Sequence, residues 1–307
     1  VFLNGLMAGV LYALVALGFV LIYKASGIFN YAQGVMALFA AMTLVRIMDG
    51  RVPFSHLINA IFGTDVHHFG WHLPGLVGIL LTMLVMIALA LIVQKVIFKH
   101  LVGQEPIILF MATIGLAYFM EGLGDLMWGA DIKKLNVGLP QGINIWIDET
   151  TYNIFDYGFF IDHLDIVATI IAVILVAVLV AFSQYTKQGR AMRAVADDHQ
   201  AALSVGVSLN FIWIMVWSVA GFVALVAGVV WGTKSGVQFS LSLIALKALP
   251  VLMLGGFTSI PGAIVGGLII GVGEKLFEFA IGPLIGGATE NWFAYVLALI
   301  FLVFRPQ

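Results

Sequence analysis

Lys247 and Glu274 are the ionisable residues with the clearest prospect of acting together. They lie before and after the glycine-rich stretch GGFTSIPG, so two antiparallel helices rising 1.5 Å per residue would bring them to similar depth. An unpaired charge in such apolar surroundings is expensive, and the expectation is an ion pair between neighbouring helices. The competing arrangement has Lys247 reaching outward alone and Glu274 turned to the side of Lys275. A second group is Asn30, Gln33 and Gly34, amides and a glycine that interrupt an apolar run in ASGIFNYAQGVMAL. Either they pack helices closely with their amides on exposed backbone, or broken backbone there lines a path or gate. A third is Asp65, His67, His68 and His72 in GTDVHHFGWHLPG. A spacing of four suits two metal ligands on one helical face, but Gly70 and Pro74 oppose a helix. A wet loop at a membrane boundary is the expectation, with no metal site.

No G-x-x-x-x-G-K-[ST] phosphate loop occurs in the chain, and LGGFTSIPGAIVGG lacks the lysine and flanking strand a phosphate cradle needs. That stretch reads instead as a turn through Gly255 and Gly256, with Pro261 in the first turn of the next helix, where its missing N–H costs nothing. Gly262, Gly266 and Gly267 follow for close packing.

These groups must be positioned by apolar helices. Of 307 residues, 62% are hydrophobic and only 10% charged, well outside the balance of a soluble domain. Apolar runs near the ~20 residues that cross a bilayer recur along the whole chain, without the alternation of barrel strands. The fold class is therefore all-α and polytopic, a single membrane domain over 1–307 with eight to nine transmembrane or re-entrant helices. Spans are expected at 1–23, 35–48, 75–97, 106–128, 165–186, 208–232, 242–256, 261–281 and 291–304. Two of these, 35–48 and 242–256, are too short to cross alone and point to a substrate path. The opening VFLNGLMAGV has no basic n-region or cleavage site and reads as a retained helix. A net charge of −2 suggests no nucleic-acid partner, and the absence of Cys removes disulfides and thiolate metal sites.

Lys24, Lys95, Lys99, Lys187, Arg190, Arg193 and Arg305 fall on one side, against Arg46, Arg51, Lys133, Lys134 and Lys234 on the other. The first set marks the cytoplasm and puts the C-terminus there. The long acidic loop 129–164 then becomes an extracytoplasmic cap. On the cytoplasmic side lies TKQGRAMRAVADDHQAALSVGVS, from Thr186 to Ser208. Its charges exclude it from the bilayer centre, yet it is a run of good helix formers where a short loop would do. Gly189 precedes the run, Gly206 closes it, and Arg193 and Asp197 stand at i,i+4. A surface amphipathic helix would oppose basic residues to bulky anchors; here acids sit in the middle and alanines replace the anchors. A docking element for a protein partner is the expectation.

GRAMRAVADDHQAALSVGVS resembles the cytoplasmic loop of permeases of branched-chain amino acid ABC transporters. GFVLIYKASGIFNYAQGVMAL and LKALPVLMLGGFTSIPGAIVGGLIIGVGE resemble the same family in the same order. Asn30, Ala32 and Gly34 match its asparagine–alanine–glycine motif. The resemblance covers essentially the whole chain and implies one permease subunit of a bacterial inner-membrane importer. Its implied partners are a second homologous permease, two cytoplasmic ATPases holding ATP and magnesium, and a periplasmic substrate-binding protein. The chain itself would bind no cofactor and would not be an enzyme. The segment 187–207 would be the coupling segment, with Gly189, Arg190, Arg193, Ala194, Asp197, Asp198, Leu203 and Gly206 meeting an ATPase. Asn30, Gln33, Gly34, Gly255 and Gly256 would belong to the path or gate. The implied solute is leucine, isoleucine or valine, with urea, short amides or another compact solute as the alternative. An ion-gradient transporter would need carboxylate or histidine relays at mid-span, and a membrane enzyme clustered catalytic groups; the chain has neither pattern.

Overall fold

The computed structural model describes residues 1–63, 70, 73–101, 104–129, 131–140, 143–145, 160–197, 199–287 and 289–304. Among these, twelve α-helices dominate. They are α1 (Phe2–Ser26), α2 (Gln33–Met48), α3 (Ser55–Phe62), α4 (Gly75–Val96), α5 (Pro106–Trp128), α6 (His163–Tyr185), α7 (Lys187–Asp197), α8 (His199–Ser204), α9 (Leu209–Ser235), α10 (Ile244–Gly255), α11 (Ile260–Ile285) and α12 (Phe293–Phe304). All nine expected apolar segments are helices. Five of them, α1, α4, α5, α6 and α9, are long and apolar enough to cross a membrane, and α10 with α11 forms one further pair bent by 113°. The short expected spans are short helices, α2 and α10. One departure from an all-helical chain is an antiparallel pair of three-residue strands, β1 (Ile143–Ile145) and β2 (Phe160–Asp162), with Asn144 opposite Ile161. Ile-Asn-Ile has the β-branched, alternating character of strand sequence.

The innermost helices are α1 and α2, whose apolar side chains are almost all buried. α1 packs most extensively on α11, and glycines set the distance. A Cβ at Gly5 would come within 2.8 Å of the Val272 Cα, and Gly9 and Gly271 meet backbone to backbone. Gly5 faces Val272 while Gly9 faces Gly267, so the two helices run antiparallel. Small residues that let backbones approach are the usual means of packing helices in lipid, where no hydrophobic force drives association.

α2 starts partway along its neighbours. Its first residue, Gln33, lies against Gly18 and donates to the Ala220 carbonyl at 3.4 Å, positions well inside α1 and α9. The chain therefore leaves α1 at Gly27, which caps it with φ +68°, and climbs back before helix resumes. The α10–α11 bend is built as the sequence suggests. Ser259 accepts from the Gly262 amide at 3.0 Å, Pro261 sits in the first turn of α11, and Gly256 takes φ +86°.

Candidate functional site

Three places carry the polar residues singled out by sequence. The first is the end bearing α7 and α8. Met192, Val195 and Ala202 turn inward and are buried, while Arg190, Ala194, Asp197, Leu203 and Val205 are exposed. The helix is thus seated on the bundle by one face and presents the other. Gly206 follows α8 with φ +84°, and the Val207 amide donates to the Ala202 carbonyl at 3.0 Å, which closes the helix. Two expectations need correction. Gly189 does not precede the helix; it lies within α7, pressed against the Phe182 and Ser183 backbone where a side chain would not fit. Arg193 and Asp197 form no ion pair, because Arg193 is half-buried beside the bundle while Asp197 points to solvent. Asp198 lies outside the described residues, as do the expected outer histidines His67, His68 and His72, with Asp65, and also Arg305. Lys95 and Lys99 edge a hollow shared with Gln94, Asn210 and Ile214 at the same end.

The second place is the break before α2. Asn30 and Gln33 are fully buried. Asn30 Nδ2 donates to Gln33 Oε1 at 3.2 Å, while Asn30 Oδ1 accepts from the Ala32 amide at 3.1 Å. Thr113 on α5 pins the same turn, accepting from the Tyr31 amide at 3.1 Å. Gly34 lies tight against Ser242 and Ala245, and Gly255 against Gly262. These contacts give all four residues a packing role. The side chain that leaves the break is that of Tyr31, more than a third exposed, which sequence reasoning passed over.

The third is a charged cluster at the opposite end from α7. Lys247 Nζ lies 3.6 Å from Glu274 Oε1, and the Tyr12 hydroxyl donates to the same oxygen at 3.0 Å. The two helices meet at a bend rather than antiparallel, yet still deliver the pair to one depth. Glu274 is buried and Lys247 about one-third exposed. Lys247 also sits 5.6 Å over the Tyr12 ring, which stacks on Trp231. Two more pairs, Lys234 with Asp165 and Lys275 with Glu290, line the same cavity of about 410 Å³. Tyr12, Trp231 and Asp165 come from three helices remote in sequence, so no spacing announces them.

Long apolar helices around shorter, interrupted ones, with most of the charge among the described residues toward the two ends, define a multi-pass membrane protein. The chain belongs to the family described as the permease component of the branched-chain amino acid transport system, which matches residues 1–305. It is 28% identical to the high-affinity branched-chain amino acid transport system permease protein BraD of Pseudomonas aeruginosa, over 99% of this chain and 92% of that one. It is 27% identical to the corresponding permease protein LivH of Escherichia coli (strain K12), over 89% and 83%. Among solved structures it is similar to PsaBC from Streptococcus pneumoniae in complex with Fab, with a TM-score of 0.45, 15% identity and coverage of 98% and 90%.

Proposed function

We propose that this chain is one of two permeases of an ATP-driven importer that carries leucine, isoleucine or valine inward across a bacterial inner membrane. The family and the names of its relatives support the solute class. The observation that carries the mechanism is the two-faced α7–α8 segment. Its inner face is held by α6, α1 and α9, and its outer face exposes Arg190, Ala194 and Asp197. In this reading a cytoplasmic ATPase takes that face in a groove. ATP and magnesium stay on the ATPase subunits, and closure of the nucleotide sandwich pushes α7, which passes the movement to α6 and α1. The C-terminus then lies in the cytoplasm, and a periplasmic binding protein delivers solute to the opposite end.

The test is uptake of labelled leucine by proteoliposomes that contain this chain, its partner permease, the two ATPases and the binding protein. Uptake should require enclosed ATP and external binding protein. Uptake that continues without nucleotide would contradict the proposal.

A further inference from the structure

A second cavity, of about 150 Å³, opens between α1, the break before α2, α5 and the start of α10. Its lining includes Phe19, Phe29, Tyr31, Tyr118 and Leu246, and its carboxylate, among the described residues, is Glu121. The Phe19 and Phe29 rings stack with centroids 5.3 Å apart and wall one side. Glu121, half-buried, has no hydrogen bond or ion pair among the described residues. Next to it on α5, Met111, Gly115, Tyr118, Gly122 and Asp125 recur at spacings of four and three and are all exposed, with open space above both glycines. A carboxylate at the centre of a lipid-facing helix costs roughly 2.5–3.5 kcal/mol, and ionisable residues within spans face a bundle interior or water. A cavity mouth turned away from lipid would spare Glu121 such a cost.

We infer that this cavity is a subsite on the solute path, with Glu121 receiving an α-ammonium group and the aromatic walls enclosing an aliphatic side chain. It rests on the importer reading above and gives that reading a chemical basis within this chain. An apolar cavity of about 150 Å³ accepts a molecule the size of benzene, room for a branched four-carbon side chain. Tyr31 and Tyr118, in the same lining, are aromatic rings of the kind that also favour a cation. The lining favours one class of solute: an ammonium is matched by the Glu121 carboxylate, a free anion is repelled by it, and an aliphatic side chain meets a wall that is mostly aromatic and aliphatic.

The chain contains no cysteine, so one introduced at Leu246 is this subunit's single thiol, and labelling is read on this subunit after the complex is separated. In the reconstituted complex, Leu246→Cys should react with a water-soluble maleimide, and leucine should protect it. 4-Methylpentanoate, which is leucine without its amino group, should not. Glu121→Gln should raise the leucine concentration needed for half-protection by about tenfold or more, the loss expected for one hydrogen bond between charged groups; Glu121→Asp should retain most of the protection. Leu249→Cys, on the same wall, is the second reporter. Leucine uptake by the parent complex is measured in parallel. Uptake with both cysteines unreactive, equal protection by 4-methylpentanoate, or protection unchanged in Glu121→Gln would each overturn this assignment alone. A parent complex that moves no leucine would overturn the importer reading and this assignment with it.

Discussion

Glu274 is a buried charge held on one side. One carboxylate oxygen is held by Tyr12 and Lys247, and the other is buried without a hydrogen-bond partner among the described residues. Removing one member of a buried pair typically costs about 3–5 kcal/mol, because the other charge is stranded, whereas replacing both with apolar or neutral groups can be nearly neutral. Lys247 is partly exposed, so water screens part of its loss. Lys247→Met should therefore cost less than that range, yet still measurably lower the thermal stability of the detergent-solubilised complex. Paired with Glu274→Gln it should recover much of the loss; strictly additive losses would contradict coupling. Tyr12→Phe deletes a hydrogen bond to a charged group and should cost about 1.5–3 kcal/mol, a loss that should shrink to about 0.5–1.5 kcal/mol when Glu274 is already Gln, whose carbonyl still accepts.

At the scale of elements, glycines define which helices touch. Gly9 on α1 abuts the backbone of Gly267 and Leu268 on α11, whereas Gly115 on α5 has nothing within 4 Å. Gly9→Ala forces the helices apart and should destabilise the isolated subunit by about 1–3 kcal/mol. Gly115→Ala should stabilise it by up to about 1 kcal/mol through helix propensity; thermal unfolding in detergent reads the difference in sign. The apolar helices were legible because a run of about 20 apolar residues has few other fates, and the Pro261 turn because proline and glycine carry local rules. The eight residues of α3 have too weak a pattern to stand out from a loop. Gly189 reads as a helix boundary by propensity, and becomes an interior contact because α7 needs close approach to the end of α6. Lys247 with Glu274 could be guessed from depth. Tyr12 and Trp231 could not, because a tertiary meeting of α1, α9 and α11 brings them in. Glu121 could not be placed by spacing either, because the cavity it lines is assembled from α1, the break before α2, α5 and α10.

For the whole molecule, the two ends differ in how their basic residues are paired. At the end with the charged cluster, Arg46, Lys234 and Lys275 are paired with Asp131, Asp165 and Glu290, while Arg51, Lys133 and Lys134 form no ion pair among the described residues. At the other end Lys95, Lys99, Lys187, Arg190 and Arg193 form no ion pair among the described residues. Unpaired Lys and Arg near helix ends are what holds an end in the cytoplasm. Ser204 and Asn136 are exposed at opposite ends. A membrane-impermeant thiol reagent added to intact cells should label Asn136→Cys and spare Ser204→Cys until the membrane is opened; the reverse pattern would invert the orientation.

The central claim is that the exposed face of α7 transmits the work of ATP. Its inner residues hold the fold, so they are poor probes, but Arg190 and Asp197 are exposed and their reversal should leave the bundle intact. The direct measurement is substrate-stimulated ATP hydrolysis by the fully assembled complex carrying Arg190→Glu with Asp197→Lys. The account predicts normal insertion and permease pairing, unchanged hydrolysis by the ATPases alone, and loss of the stimulation by leucine-loaded binding protein. Full stimulation in the doubly reversed complex would contradict it.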